Sequence, residues 1–437
     1  MLPNALPNTS IFLVGAALIA VGVAAATLIV WRDLAPVARI SGWRRLALIV
    51  GLGGGVFAFI FKFAIIEALT HGGVEHLTAA PPPIARAEPD DSEPGQITWG
   101  KPRWKALPYV APAPAVNPTT AEKAALGARL FRDPLLSVDG TVSCASCHDL
   151  DHGGGSEARS TSRGVGGQIG KRKAPRVYNA AFQTIFFWDG RARSLEDQAT
   201  GPIGNPIEMG NPDLDAVAAR VAADPSYAAA FAAAFGPDAP IDISHVAMAI
   251  AAFERTLVTA DAPYDRFVRG DASALTAQQL RGMALFETAG CVNCHAGPNF
   301  SNASMLAPAG MGSGMRMFPA HPSPYTAQYR LADDSGAAAP GRPGVWRAPS
   351  LRNVALAAPY FHNGSVDDLT EAVRVMAKAQ LGRVISDNPR VESVVSWSAD
   401  SGRLMSYTPS TLTEADIADI TAFLRALTSE RLAAQGQ

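Results

Sequence analysis

The chain has 437 residues, of which 48% are hydrophobic and 17% are charged, and its formal net charge is −2. This composition excludes an intrinsically disordered protein. The charge excludes a surface that binds nucleic acid through its phosphates. Four cysteines in so long a chain also exclude a disulfide-stabilised scaffold.

Residues 1–71 predict a membrane anchor with two transmembrane helices. Ile11–Trp31 is uncharged, almost entirely apolar and long enough to cross a bilayer, and Leu46–Leu69 forms a second apolar segment. The loop between them is rich in arginine, so the positive-inside rule places it in the cytoplasm and the rest of the chain on the periplasmic or outer face. The alternative is one uncleaved anchor followed by a half-buried segment.

Three further regions follow the predicted anchor. The proline-rich residues 72–118 predict a semi-rigid linker. Residues 119–265 and 266–430 predict two mainly α-helical domains, since alanine-rich segments with helical spacing recur and no alternation predicts a large sheet. The Gly/Pro/Met-rich stretch Ser301–Pro349 is long for an irregular segment, which indicates that a large, rigid, apolar cofactor orders it.

The predicted helical region contains a weak internal repeat and three predicted helix caps. Gly127–Phe131 leads toward Cys144 as Gly282–Phe286 leads toward Cys291, which suggests that one unit was duplicated. Three helix starts are predicted, namely Ser244 before His245–Leu257, Thr276 before Ala277–Thr288, and the Thr413 capping box before Ile417–Leu427.

All four cysteines lie in two copies of the pattern Cys-x-x-Cys-His. Two thiols at this spacing can each add to one vinyl group of a haem, and the following histidine can bind the iron as proximal ligand. A redox dithiol would not require that histidine, and a zinc site would require one cluster rather than two distant pairs. The sequence therefore predicts two covalently bound c-type haems, which are attached outside the cytoplasm. The copies are Cys144-Ala-Ser-Cys147-His148 and Cys291-Val-Asn-Cys294-His295.

The sequence around these sites, from Leu126 to Leu427, resembles the bacterial dihaem cytochrome c peroxidase family. The motifs that carry the resemblance are Leu130–Pro134, Phe187–Arg191, Gly201–Ile203, Asn205–Met209, Pro349–Asn353, Ala358–Gly364 and Met376–Gly382.

The resemblance implies that His148 is the proximal ligand of a peroxide-reacting haem and His295 that of an electron-relay haem. A relay haem needs a sixth ligand that keeps its potential high and blocks substrate, which a thioether does. Met376 matches the family position of this ligand, although a helical methionine can also be core packing. By composition alone, four other methionines compete with it, namely Met305, Met311, Met315 and Met317.

The resemblance also implies a catalytic set around the reactive haem. Glu208 resembles the family's distal acid, which takes a proton from one peroxide oxygen and returns it to the departing one. Gln198 resembles the accompanying hydrogen-bonding residue, and Trp188 resembles a tryptophan that carries electrons between the haems. His362 resembles a family histidine near the relay haem.

The chain departs from the family pattern at two places. Many members carry a distal histidine in the loop after the first haem site, where this chain has Arg163–Gly167 and no histidine between His152 and His245. His152 is only four residues beyond His148 and is expected on the proximal side. The reactive iron is therefore expected to rest with an open or water-bound distal side. Lys173 stands where an asparagine ligand of the family's interdomain calcium is usual, and its ammonium would repel a divalent cation.

The predicted function is that of a membrane-anchored periplasmic peroxidase that reduces hydrogen peroxide. The electron donor would be a small protein such as cytochrome c or a cupredoxin, and family members often pair as homodimers. Two alternatives remain open. One is an oxidative maturase that modifies a partner protein, as in the related dihaem enzyme that carries a tyrosine in place of Met376. The other is a dihaem electron carrier without enzymatic activity.

Overall fold

The computed structural model describes residues 104–151, 155–388, 394–398, 403–407 and 411–435, which form one unit of mutually packed residues. The predicted membrane anchor at 1–71 lies outside these ranges. Among the helices that are described, none has both the length and the apolar character needed to cross a membrane.

The described part of the chain is mainly helical, which confirms the predicted fold class at this level. Its helices are α1 (Ala121–Arg132), α2 (Leu195–Gly204), α3 (Leu214–Ala223), α4 (Pro225–Phe235), α5 (Ile243–Glu254), α6 (Pro263–Val268), α7 (Ala277–Thr288), α8 (Pro324–Gln328), α9 (Leu369–Val375), α10 (Glu414–Arg425) and α11 (Glu430–Gln435).

The strands are short and pair only two by two within the described residues, so no large sheet forms there. Strand β1 pairs with β2 and β4 with β5 in antiparallel fashion, whereas β3 and β6 are parallel. The strands are β1 (Met315–Met317), β2 (Val345–Arg347), β3 (Val384–Ile385), β4 (Val394–Ser398), β5 (Arg403–Tyr407) and β6 (Thr411–Leu412).

Side-chain caps start the main helices largely where the sequence predicts. Thr276 and Thr413 each accept a hydrogen bond from the third residue of their helix and form capping boxes, which confirms both predictions. Helix α5 differs, because Asp242 rather than Ser244 is its cap and accepts from the main-chain N–H of His245 at 2.8 Å. It also ends earlier than predicted, at Glu254, where the chain tightens into three-residue turns.

Two helix pairs form the same close contact, and each contact is made by the glycine of one copy of the internal sequence repeat. Gly127 of α1 faces the main chain of Ala249 in α5, and Gly282 of α7 faces the main chain of Asp419 in α10. In both pairs a Cβ on the glycine would lie 1.9 Å from a carbonyl oxygen of the partner helix. Only glycine allows two helices to approach this closely.

Apolar side chains form separate cores around these pairs. Helices α1 to α5 contribute to an N-terminal core, and α6, α7, α9 and α10 contribute to a C-terminal core. The predicted domain boundary between residues 265 and 266 falls inside α6, whose fully buried Tyr264 packs in the C-terminal core.

The predicted linker at 72–118 is wrong for its last part, because the chain from Trp104 onward packs against the body. The Trp104 ring lies 6.0 Å from that of Phe423, and Leu107 is buried. Asn117 is also buried and donates a hydrogen bond to a main-chain carbonyl of α5. Proline content alone does not reveal that the apolar residues between the prolines have partners elsewhere.

The variant Gly282→Ala is expected to destabilise the protein by roughly 1–3 kcal/mol, the usual cost of overpacking. The new Cβ would overlap the Asp419 carbonyl, so α7 and α10 would have to separate. Chemical unfolding of the holoprotein measures this loss. In the control variant Gly204→Ala the nearest atom to the new Cβ is a Leu214 methyl at 3.7 Å, so stability should not fall. Equal stability of the two variants would contradict the packing argument.

Candidate functional site

Each Cys-x-x-Cys-His pattern folds into the same short turn. The 3-10 turns Cys144–Ser146 and Cys291–Asn293 hold the two cysteines together. In both, the main-chain N–H of the histidine, His148 or His295, donates to the carbonyl of the first cysteine, at 2.9 and 3.0 Å. The repeated geometry places two thiols and one imidazole at each site.

The electrostatics of the thiols differ from those of a redox dithiol. All four cysteines are free, and burial raises the pKa of Cys144 and Cys291 to about 12 and that of Cys147 to about 11. Burial also raises the pKa of Cys294. Reactive redox cysteines have a lowered pKa, so the raised pKa of these thiols argues against a redox dithiol.

Main-chain carbonyls orient the rings of both histidines. The Nδ1 atom of His295 donates to the carbonyl oxygens of Phe300 and Pro349, at 3.2 and 3.1 Å. His148 Nδ1 lies 3.4 Å from the carbonyl oxygen of Gly155. These contacts fix the proton on Nδ1 and leave Nε2 for a metal. Burial lowers the pKa of both imidazoles, in His295 to about 4, so the neutral ligating form prevails.

A largely apolar cavity adjoins the C-terminal turn and suits a porphyrin. Cys291, Cys294 and His295 line it together with Trp188. Its apolar wall comes from α7, α9, α10 and the segments near them, with lining side chains that include Phe286, Phe318, Val354, Leu369, Val373, Leu412, Ile420 and Leu424. The residues present therefore fit a covalently attached haem.

Met376 is the one methionine that lines this cavity in the described part of the chain. It begins a π-helical turn, Met376–Gln380, directly after α9. Single π-turns inside helices are frequent at functional sites. The competing Met305 lies far more open, at 45% exposure, and does not line the cavity.

Aromatic rings connect this cavity to a main-chain segment shared by both sites. Trp188 Nε1 donates to the carbonyl of Lys173 at 2.8 Å, and its ring centroid lies 6.5 Å from that of His362. His362 stacks on Trp346 at 4.0 Å. Two residues after Lys173, the main chain of Pro175 raises the pKa of His148 against the larger effect of burial. Trp188 therefore contacts a segment that acts on His148 and lines the cavity that His295 also lines.

Glu208 lies on the turn after α2 and acts electrostatically on the N-terminal site. Burial and Glu157 are the main causes of the raised pKa of Cys147, and the charge of Glu208 adds to them, so this carboxyl lies within electrostatic range of that thiol. Glu208 is half-buried, and burial raises its own pKa while Arg191 opposes this rise. Gln198 lies half-buried on α2, the helix that leads to this turn.

The loop without the family histidine packs directly against Glu208. The main-chain N–H of Val165 donates to the Glu208 carbonyl at 2.9 Å. A Cβ at Gly164 would lie 1.8 Å from the carbonyl oxygen of Ile207, so only glycine fits there. Gly164 and Val165 of this loop therefore lie against the main chain of Ile207 and Glu208.

Lys173 is buried and binds oxygen atoms from two separate segments. Its ammonium donates to the carbonyls of Glu157, Arg159 and Ala358, the last two at 3.2 and 3.5 Å. Burial lowers the pKa of this lysine to about 8. The ammonium thus occupies a position among carbonyl oxygens that would otherwise suit a metal cation.

Several buried charged residues near the sites were missed by sequence reasoning. Burial raises the pKa of Glu254 to about 8, and this carboxyl adds to the raised pKa of Cys144. Arg176 and Arg347 line the cavity beside the C-terminal turn. The available signal was a charge within an apolar stretch, as for Arg347 after Val345 and Trp346.

Comparison with known proteins agrees with this geometry. The sequence profile of the family described as Di-haem cytochrome c peroxidase matches residues 121–273. The chain is 40% identical over 299 residues to cytochrome c peroxidase Ccp of Escherichia coli, covering 66% of this chain and 60% of that protein. It is 42% identical to the methylamine utilization protein MauG of Methylorubrum extorquens, covering 61% of this chain and 71% of that protein.

A solved structure shows that the likeness extends to the fold. The crystal structure of a MauG-like protein associated with microbial copper homeostasis is 32% identical, with a TM-score of 0.57 over 76% of this chain and 96% of that one. The chain therefore belongs to the dihaem cytochrome c peroxidase family, and its cofactors are two c-type haems.

Proposed function

We propose that the protein reduces hydrogen peroxide to water with electrons from a small external donor, a cytochrome c or a cupredoxin. Its family establishes the class, an oxidoreductase that acts on peroxide. The observation that carries the finer proposal is the difference between the two sites. A half-buried carboxyl, Glu208, acts electrostatically on Cys147 of the N-terminal site, whereas a thioether, Met376, lines the C-terminal cavity.

At the N-terminal site, Glu208 is the proposed proton carrier. When bound, the haem on Cys144 and Cys147 supplies the iron at which peroxide is reduced. The Glu208 carboxylate would accept a proton from one oxygen of hydrogen peroxide and return it to the other oxygen, which leaves as water. Its partial burial supports this role, since burial brings the pKa closer to neutral. Gln198 is proposed to orient peroxide by a hydrogen bond.

The distal side of this site is proposed to stay open at rest. The loop that borders Glu208 supplies Gly164 and Val165 there and no imidazole. An electronic spectrum of the oxidised protein tests this, with a high-spin component expected from the N-terminal haem. A spectrum with only low-spin, bis-nitrogen-ligated haem at that centre would contradict it.

At the C-terminal site, His295 and Met376 are the side chains that would hold the haem iron, and Trp188 is proposed to pass electrons between the sites. All three residues line the same cavity. A sixth ligand from the protein excludes peroxide there, and a thioether favours the reduced iron. A C-terminal haem from which peroxide is excluded suits electron relay rather than a second catalytic centre.

The variant Met376→Leu is expected to convert the C-terminal haem from low-spin to high-spin and to lower its reduction potential. Leucine has similar volume but no sulfur lone pair, so packing is retained while the ligand is lost. Magnetic circular dichroism and redox titration measure both changes. The control Met305→Leu removes an exposed methionine outside the cavity. An unchanged low-spin signal in Met376→Leu would show that another group is the ligand.

A turnover assay tests the function as a whole. The purified dihaem protein is mixed with hydrogen peroxide and several reduced donors, including monohaem cytochrome c and a cupredoxin. Stoichiometric oxidation of at least one donor, two electrons per peroxide, is the expected result. If none of the donors is oxidised, the peroxidase proposal is refuted.

A second candidate function is oxidative maturation of a partner protein. The 42% identity to a MauG protein favours it. Met376 in place of the tyrosine expected for a maturase weighs against it. A third candidate, a pure electron carrier, would not be sensitive to Glu208→Gln, because a carrier needs no proton transfer at that position.

The cellular setting is proposed from the sequence alone. Residues 1–71 would anchor the protein in the cytoplasmic membrane by two transmembrane helices, with the haem domains in the periplasm. Covalent haem attachment outside the cytoplasm supports this placement. Reporter fusions at residue 38 and at the C-terminus test it, and the expected outcome is a cytoplasmic loop and a periplasmic C-terminus. Homodimerisation is likewise a proposal, which light scattering checks.

The protein is expected to work without calcium. The Lys173 ammonium already binds the carbonyls of Glu157, Arg159 and Ala358, and a divalent cation at that place would be repelled. Removal of calcium with a chelator should leave peroxidase turnover unchanged within error, and calorimetric titration should show no binding. Loss of activity with chelator, restored by added calcium, would contradict this.

A further inference from the structure

The cavity beside the C-terminal turn has an unbalanced charge. Its lining includes four cationic side chains, and no aspartate or glutamate is among the described residues that line it. A cation in an apolar pocket is costly unless an anion compensates it. The cations are Lys173, Arg176, Arg316 and Arg347.

Two of these cations are accounted for by other contacts. Lys173 is satisfied by three carbonyl oxygens, and the charge of Glu157 favours its ionised form. Arg316 donates to main-chain carbonyls, and its charge acts on Cys294. This leaves Arg176 and Arg347 as the two remaining cations of the lining.

Neither of these two guanidinium groups forms an ion pair with any described residue. Arg176 donates to the carbonyl of Ser350, and Arg347 donates through Nε to the carbonyl of Phe187 at 2.9 Å. Arg347 is only 3% exposed, and its Nη1 has no hydrogen-bond partner. Burial lowers the pKa of each arginine to about 10, and the charge of Arg176 contributes to the lowering at Arg347. Two neighbouring like charges in an apolar cavity require an anion.

A haem supplies the negative charge that the lining of this cavity lacks. Its ring is apolar, its two vinyl groups lie on one edge, and its two propionate carboxylates lie on the opposite edge. When the vinyl edge is bonded to Cys291 and Cys294, the propionates project away from the cysteines. A further buried nitrogen without a hydrogen-bond partner, Nε2 of His362, also borders the cavity.

We propose that Arg176 and Arg347 bind the propionate carboxylates of the C-terminal haem through charge-assisted hydrogen bonds. The planar guanidinium fork matches a carboxylate in shape and charge. Arg347 also links this edge to Trp188, because its main-chain N–H donates to the Trp188 carbonyl at 2.8 Å. The two arginines thus hold the propionate edge beside the proposed electron path.

The reduction potential of the low-spin haem tests this binding without using peroxide, so its outcome is separate from that of the turnover assay. In Arg347→Gln and in Arg176→Gln, an uncompensated propionate charge would stabilise the oxidised iron. The ratio of oxidised to reduced haem at a fixed potential should rise at least tenfold, which is about 59 mV for one electron. Infrared spectra of protein carrying ¹³C-carboxyl-labelled haem should show a shifted carboxylate stretch.

Matched variants make the result decisive. Arg347→Lys keeps the charge and should restore most of the potential while the carboxylate stretch remains shifted. Arg330→Gln is the control, because this arginine is 79% exposed and pairs only with Asp333. If a glutamine variant fails to retain haem, the carboxylate stretch of Arg347→Lys still tests whether Arg347 binds a propionate. Unchanged carboxylate bands in Arg347→Lys, or potentials in both glutamine variants equal to that of the control, would overturn the proposal.

Discussion

Replacing Glu208 with glutamine is expected to lower kcat for hydrogen peroxide by about 10²–10⁴-fold, the usual contribution of a general acid–base group. Glutamine keeps the size and the hydrogen-bonding oxygen of the side chain but cannot carry a proton between the two peroxide oxygens. Haem content and the reduction potential of the C-terminal haem should not change, because Glu208 acts at the N-terminal site. Steady-state kinetics with a saturating donor measures the effect.

The pH dependence of the natural protein gives a second signature of the same group. Glu208 must be ionised to accept the first proton, and burial raises its pKa above the usual carboxyl value. The value of kcat/KM should therefore fall as the pH drops through this raised pKa. In Glu208→Gln this acidic limb should disappear along with most of the rate.

An exposed glutamate provides the control for both measurements. Glu122 lies on the surface in the first turn of α1, and Glu122→Gln should leave the kinetics and their pH profile unchanged. If Glu208→Gln retained the rate and the acidic limb, Glu208 would not be the proton carrier, and another group would have to transfer the proton.

Replacing Asp265 with asparagine is expected to lower the free energy of unfolding by about 3–5 kcal/mol, the cost of leaving one partner of a buried ion pair uncompensated. Asp265 and Arg352 form a two-bond contact at 2.7 and 2.9 Å, and the two side chains are 0% and 1% exposed. The same carboxylate accepts main-chain hydrogen bonds from Leu107 and Ala262. One residue thus joins the α6 region, the segment after Trp104 and the loop that follows β2.

Denaturant unfolding of the holoprotein measures this loss. The control Asp333→Asn removes the acidic partner of an ion pair whose side chains are 79% and 55% exposed, so its stability should change by less than about 0.5 kcal/mol. Equal stabilities of Asp265→Asn and Asp333→Asn would show that burial of the first pair has no energetic consequence.

Features that depend on local sequence could be predicted, and features that depend on distant partners could not. The attachment turns and the caps at Thr276 and Thr413 are encoded within a few residues, so spacing alone locates them. The packing of Leu107 and the burial of Arg347 depend on contacts with segments more than a hundred residues away. No periodicity in the sequence carries that information.

The roles of individual site residues required the family resemblance. Spacing predicts a haem at each Cys-x-x-Cys-His pattern, but nothing in the composition separates Met376 from the other methionines. The structure adds that Met376 lines the cavity of the C-terminal turn and that Glu208 acts on Cys147. Their chemical roles stay predictions until the variants are measured.

The glycine contacts of α1 with α5 and of α7 with α10 have an evolutionary consequence. Because the same glycine contact holds the helix before each attachment turn, the two halves share this frame and differ in the segments around it. Those segments, one containing Glu208 and the other containing Met376, could then change their chemistry without disturbing the paired helices. Exchange of such segments between members of the family is accordingly a practical way to alter the chemistry of one half while its attachment turn is kept.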